Sequence, residues 1–79
     1  MVMRKFRSAG GSVVNAIQFD GEAMPTGMWM QPGRAGQPMA MAKTAGGHAG
    51  AEVGDWIVQE GTETRVVSPF IFSRDYRPA

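Results

Sequence analysis

Glycine and proline punctuate the middle of this chain so densely that no long helix fits there. Between Gly21 and Pro38 stand Pro25, Gly27, Pro32, Gly33 and Gly36, and the longest run free of both residues is Met28-Trp29-Met30-Gln31. Proline removes a backbone donor and clashes with the preceding turn, and glycine costs about 1 kcal/mol per helical position relative to alanine. Met28–Gln31 therefore suits one short strand. Residues 31–37 read as a loop at the tip of a hairpin, leading into a second strand over 38–43. Eleven Gly and five Pro in 79 residues extend the same preference for turns and short strands to the whole chain.

The segments outside this middle carry clearer periodicity. Residues 13–20, VVNAIQFD, alternate as a strand, with Val13, Asn15, Ile17 and Phe19 on one face and Val14, Ala16, Gln18 and Asp20 on the other. Asp20-Gly21 ends that strand with turn chemistry. Val53-Gly54-Asp55 forms a tight turn, in which Gly takes a positive φ and Asp accepts backbone N–H bonds from its own turn. Residues 56–59 and 64–67 are β-rich runs joined through Glu60-Gly61-Thr62-Glu63, with Trp56 and Val58 on one face and Ile57 and Gln59 on the other. Ser68-Pro69 then combines a helix N-cap with the proline of a first helical turn. Phe72 and Tyr76, four apart, would press one face of that turn onto the sheet, and Pro78 ends it.

The expected fold is mainly β: a small antiparallel sheet or partly open barrel of four or five short strands, with at most one short C-terminal helical turn. The chain is one small domain over 1–79, in which residues 1–12 are expected to be a flexible N-terminal arm. A chain of this size buries only about 60% of its unfolded surface, so its stability is marginal without a staple. There is no Cys to provide a disulfide or a thiolate metal site, and the single His, His48, is too few for ordinary zinc ligation. Homodimerisation stays open as another way to bury surface. The first residues are basic, but no apolar run of signal-peptide length follows them, and nothing approaches the roughly 20 apolar residues of a membrane span. The expectation is a soluble, intracellular protein with no membrane segment, in a reducing compartment.

Catalytic chemistry finds little support. His48 lies in the glycine-rich stretch Ala45–Gly50, read as a mobile loop, which is a poor platform for acid–base work. That loop also lacks the following helix, or the Lys with Ser or Thr, of a phosphate cradle. The carboxylate pairs Asp20 with Glu22 and Glu60 with Glu63 fall in turns, where solvated charge is the ordinary explanation. The chain is read as not an enzyme, with no cofactor.

Gly54-Asp55-Trp56-Ile57-Val58, the hairpin after it, and Pro69, Ile71-Phe72, Tyr76 and Pro78 resemble the C-terminal half of a family of small phage and prophage proteins. That family carries a Pro-Gly-Asp-Trp-Ile turn and a terminal Phe and Tyr four apart, followed by Pro. Arg4-Lys5-Phe6-Arg7 and Val14–Gly21 are similar to its N-terminal part. Val53 stands where the family has Pro, and residues 22–38 are short and Gly/Pro-rich where the family has a helix. The resemblance implies a phage origin and a fold. The residues themselves give Gly54, Asp55, Trp56, Phe72 and Tyr76 an architectural role: the first two make the turn, Trp56 starts the hairpin inward, and Phe72 and Tyr76 close over the same core.

Three functional readings follow. In the first, a phage accessory protein binds a bacterial host protein in the host cytoplasm, as inhibitors of host defence such as anti-CRISPR proteins do. Its contact residues are Met28, Trp29, Met30 and Arg34, because Met28 and Met30 with Met39 and Met41 put four thioethers on two adjacent strands. The ordinary reading of the same methionines is a core, and the docking surface is the sharper one. In the second, the domain binds nucleic acid through Arg4, Lys5 and Arg7 at one end of the chain and Arg74 and Arg77 at the other, which form a basic patch if the ends meet. A net charge of +1, from eight Lys or Arg against seven Asp or Glu, gives that reading little drive. The third is a minor phage structural or assembly protein.

Overall fold

The computed structural model describes residues 3–79. It is mainly β, with eight strands in two antiparallel sheets and one short C-terminal helix. The strands are β1 (Arg4–Ser8), β2 (Val13–Gln18), β3 (Trp29–Pro32), β4 (Pro38–Thr44), β5 (Gly47–Glu52), β6 (Trp56–Glu60), β7 (Glu63–Val67) and β8 (Tyr76–Pro78). Helix α1 (Pro69–Asp75) lies between β7 and β8, and a single 3-10 turn, Arg34–Gly36, lies between β3 and β4. The larger sheet has the order β7-β6-β2-β1-β8 and the smaller β3-β4-β5, and neither closes into a barrel.

The expected N-terminal arm is corrected by this arrangement. Residues 1 and 2 lie outside the described residues, but Arg4–Ser8 form an interior strand, paired with β2 on one side and β8 on the other. Residues 8–12, small and expected to be flexible, close a tight turn instead. Ser8 N–H donates to Ser12 O (2.8 Å) and Gly11 N–H to Ser8 O (2.9 Å), while the Ser8 hydroxyl accepts from Ser12 N–H (3.2 Å).

Strand β2 alternates as its sequence implies, and both of its faces are used. Val14 and Ala16 are buried with Val58 and Phe72 in one cluster, flanked by Phe6, Trp56, Val67 and Tyr76. On the other side Phe19 and Ile57 are buried with Ala40 and Ala51, flanked by Ile17, Met24, Met28 and Val66. The larger sheet is thus covered by α1 on one face and by the smaller sheet on the other. Alanines on the inner face of the smaller sheet let it approach closely, and Phe19 and Ile57 fill the space between.

Local chemistry sets the C-terminal elements. The Ser68 hydroxyl accepts from Ile71 N–H (3.3 Å) and Pro69 begins the helix, so one orphan donor is satisfied and the missing one costs nothing. Tyr76 lies just past the helix and starts β8, where Ser8 faces it across the ladder.

The Gly54-Asp55 turn is held at three points. Gly54 adopts φ +101, a conformation that only glycine takes cheaply. Its N–H donates to Phe19 O (2.9 Å), and Phe19 N–H donates to Asp55 O (2.8 Å), which continues the β2–β6 pairing beyond the strand end. The Asp55 carboxylate accepts from Glu52 N–H (3.0 Å).

Candidate functional site

The outer face of the smaller sheet is built by register. Residues directly opposed in an antiparallel pair share a face. Trp29 opposes Met41 and Gln31 opposes Met39, while Met41 opposes Gly50 and Lys43 opposes His48. Trp29, Met39 and Met41 therefore lie together on the side facing away from the larger sheet, with His48 beside them. The Trp29 and His48 rings meet edge to face, with centroids 5.5 Å apart and planes at 86°. Trp29 remains 38% exposed.

Gly50 lets the thioethers lie flat on this face. A Cβ there would stand 2.7 Å from Met39 Sδ and 3.1 Å from Met41 Sδ, so both sulfurs occupy the space that a side chain would take. Around this apolar centre stand the exposed polar groups Gln31, Lys43 and Glu52. At one margin the Arg34 guanidinium lies 3.8 Å from the Glu52 carboxylate, both well exposed. Arg34, Ala35, Gln37, Glu52 and Val53 line an open depression of about 430 Å³ there.

Two expectations change. The four methionines do not form one surface: Met30 opposes Ala40, so it points to the inner side, and Met28 packs into the cluster around Phe19. Of the expected contact residues, Trp29 is on the outer face, Met30 is exposed on the inner side of β3, Arg34 is on the adjoining turn and Met28 packs against the core. His48 does not sit in a loop, because Gly47–Glu52 is strand β5 and the turn is confined to the residues before it. Met39, Met41, His48 and Gly50 complete the face. The alternation of His48, Gly50 and Glu52 is the signal that marks them, hidden by the low strand preference of Gly and Ala.

The two basic ends do come together. Strands β1 and β8 pair antiparallel with Arg7 directly opposite Arg77. Lys5 and Arg7 share the strand face of Asn15 and Val13, opposite to that of Phe6. Arg4 belongs to the other face, beside Phe6, Ala16, Gln18 and Trp56. Arg74 is occupied by Asp75, to which Nε donates at 2.8 Å; this bond holds the Asp75 carboxyl below the usual range and raises the Arg74 guanidinium.

Two further titratable groups, Asp20 and Arg65, serve structure. Asp20 accepts from the N–H groups of Glu22 (2.8 Å) and Ala23 (3.2 Å), and these bonds lower its pKa. Arg65 donates to the Tyr76 hydroxyl (3.1 Å) and to Glu60 (3.0 Å), and both bonds raise its pKa. Among the described residues there is no group of three or more His, Cys, Asp or Glu placed to hold a metal, and no helix long and apolar enough to cross a membrane.

Compared with family models, curated proteins and solved structures, the chain matches none.

Proposed function

We propose that this chain is a non-catalytic binding domain of a phage accessory protein that docks a bacterial host protein, in the host cytoplasm, through the outer face of β3-β4-β5. The observation that carries the reading is Trp29, exposed and backed by Met39 and Met41 over Gly50. An aromatic anchor on a pliable thioether bed, inside a polar rim, is the composition of a protein-binding surface. The rim carries both signs, Lys43 and Arg34 against Glu52, which suits a protein of mixed charge and opposes a polyanion. The phage origin rests on the resemblance of Gly54–Val58, Phe72, Tyr76 and Pro78. Inhibition of a host defence system is the activity we assign to such docking.

The test compares immobilised wild-type protein with Trp29→Ser and Met41→Ser variants in nuclease-treated bacterial lysate, followed by calorimetry on the purified captured protein. We expect one host protein held by the wild type, with affinity at least tenfold weaker for each variant and thermal midpoints preserved. Equal affinity for wild type and variants refutes the assignment. A dimer in solution that Trp29→Ser dissolves gives the face to a second copy instead, and refutes it as well.

A further inference from the structure

A second surface, on the larger sheet, has a different chemistry. Following the pairing across β8, β1, β2, β6 and β7, one face carries Arg77, Lys5, Arg7, Val13, Asn15, Ile17, Ile57, Gln59, Thr64 and Val66. The smaller sheet covers the part built by Ile17, Ile57 and Val66. The part built by β8, β1 and the start of β2 stays open, and Lys5, Arg7, Val13, Asn15 and Arg77 are all exposed.

The charges on this open strip are segregated. Glu60 and Glu63 lie on the opposite face with Val58 and Arg65, Glu52 is on the smaller sheet, and Asp20, Glu22 and Asp55 lie in the turns beyond the strand ends. Asp75 is paired with Arg74 at 2.8 Å and also feels the charge of Arg77 at the edge of the strip. Lys5 has no carboxylate partner among the described residues. Arg7 and Arg77 each commit only Nη1, to Gly11 O at 3.2 Å and to Ser73 O and Tyr76 O at 2.6 and 2.9 Å. Nη2 and Nε of each guanidinium make no hydrogen bond among the described residues, and the bond to Ser73 turns the Arg77 guanidinium toward the end of α1, at the edge of the strip.

We infer that Lys5, Arg7 and Arg77 form a sequence-independent contact for the phosphate backbone of double-stranded nucleic acid. Lys5 and Arg7 are about 7 Å apart along β1, and Arg7 and Arg77 about 5 Å apart across the ladder. This strip is narrower than the roughly 12 Å major groove, so it meets neighbouring phosphates of one strand and reads no base edges. Asn15 beside it adds a neutral amide of the kind that accompanies phosphate contacts. The strip contains no aromatic ring, because Phe6, Trp56, Phe72 and Tyr76 all pack on the other face, and a single strand has nothing there to stack on. Val13 is its one apolar side chain, too little to enter a lipid surface. The strip is independent of the Trp29 face, and a domain with both can hold a host protein beside a duplex.

The test is fluorescence anisotropy of a labelled, mixed-sequence duplex with the full chain at 50 to 200 mM salt. Three phosphate contacts give a slope of log affinity against log salt of about −2.7, so affinity falls about 40-fold across that range. Lys5→Gln and Arg7→Gln each flatten the slope by about 1 with an unchanged melting temperature, and Arg7→Lys preserves it. Arg4→Gln makes the same change of net charge on the opposite face and leaves the slope as it is. Absence of binding at 50 mM salt overturns the inference, as does an equal effect of Arg4→Gln and Lys5→Gln. Tighter binding of a single strand, or equal retention by anionic vesicles, overturns it too. None of these outcomes depends on whether the Trp29 face captures a protein.

Discussion

Trp56 and Phe72 stack with their ring centroids 3.9 Å apart and their planes 2° from parallel. Phe72 stacks in turn on Tyr76 at 4.7 Å, and Phe6 meets both Trp56 and Phe72 edge-on at 5.5 and 4.9 Å. Four rings from the two ends and the centre of the sequence thus make one contact network, which fixes α1 against the sheet.

Removing Trp56 from that network should unfold the domain, because its ring covers both Phe6 and the buried Phe72. Trp56→Ala costs about 3 kcal/mol, against the roughly 3–5 kcal/mol that a core of this size supplies. Urea denaturation of Trp56→Ala should find little or no folded baseline, whereas Trp56→Phe keeps a stacking ring and a cooperative transition.

Ser68 makes a smaller and separable contribution. Ser68→Ala loses the bond to Ile71 N–H and should lower stability by about 1 kcal/mol. Ser68→Asp retains an acceptor and should restore it, as a pair of thermal melts would show.

Asp55 holds its own turn, so Asp55→Asn, which keeps a carbonyl acceptor for Glu52 N–H, should cost only a few tenths of a kcal/mol. Partner affinity should be unchanged. A folded Asp55→Asn protein that no longer binds would move the site to the turn.

Stability should weaken on the acid side through Asp20. Its folded pKa is lowered by the N–H groups of Glu22 and Ala23. A lowered carboxyl contributes fully above its unfolded value near 3.9 and loses that contribution as pH falls through the folded value. Asp20→Asn should therefore lower the melting temperature at pH 5 to 7, change it least at pH 3, and so narrow the difference between pH 5 and pH 3. Melts across that range check it.

Much of this architecture is legible in the residues, and the exceptions have physical causes. Strand β2, the β6–β7 hairpin and the capped helix each announce themselves by local chemistry: alternation, a glycine at the loop and Ser-Pro at the cap. Strand β5 does not, because Gly47, Ala49, Gly50 and Ala51 have little side chain, and their strand state comes from pairing with β4. Strand β1 is hidden similarly, since its charged residues alternate around Phe6 alone and its partner β8 lies at the far end of the chain. The candidate face is only half legible for a related reason. Trp29 stands out in sequence, but the register that sets it beside Met41 and away from Met30 belongs to the pairing of strands.

The central claim is that the outer face of the smaller sheet is the protein-docking surface. Its most direct test is a titration of isotope-labelled domain with the captured host protein, read by backbone and methionine methyl NMR. The account predicts that shifts and line broadening concentrate at Trp29, Met39, Met41, His48 and Gly50, with α1 and β8 unaffected. Perturbation centred on α1 and β8, or none at the outer face under saturating partner, would contradict it.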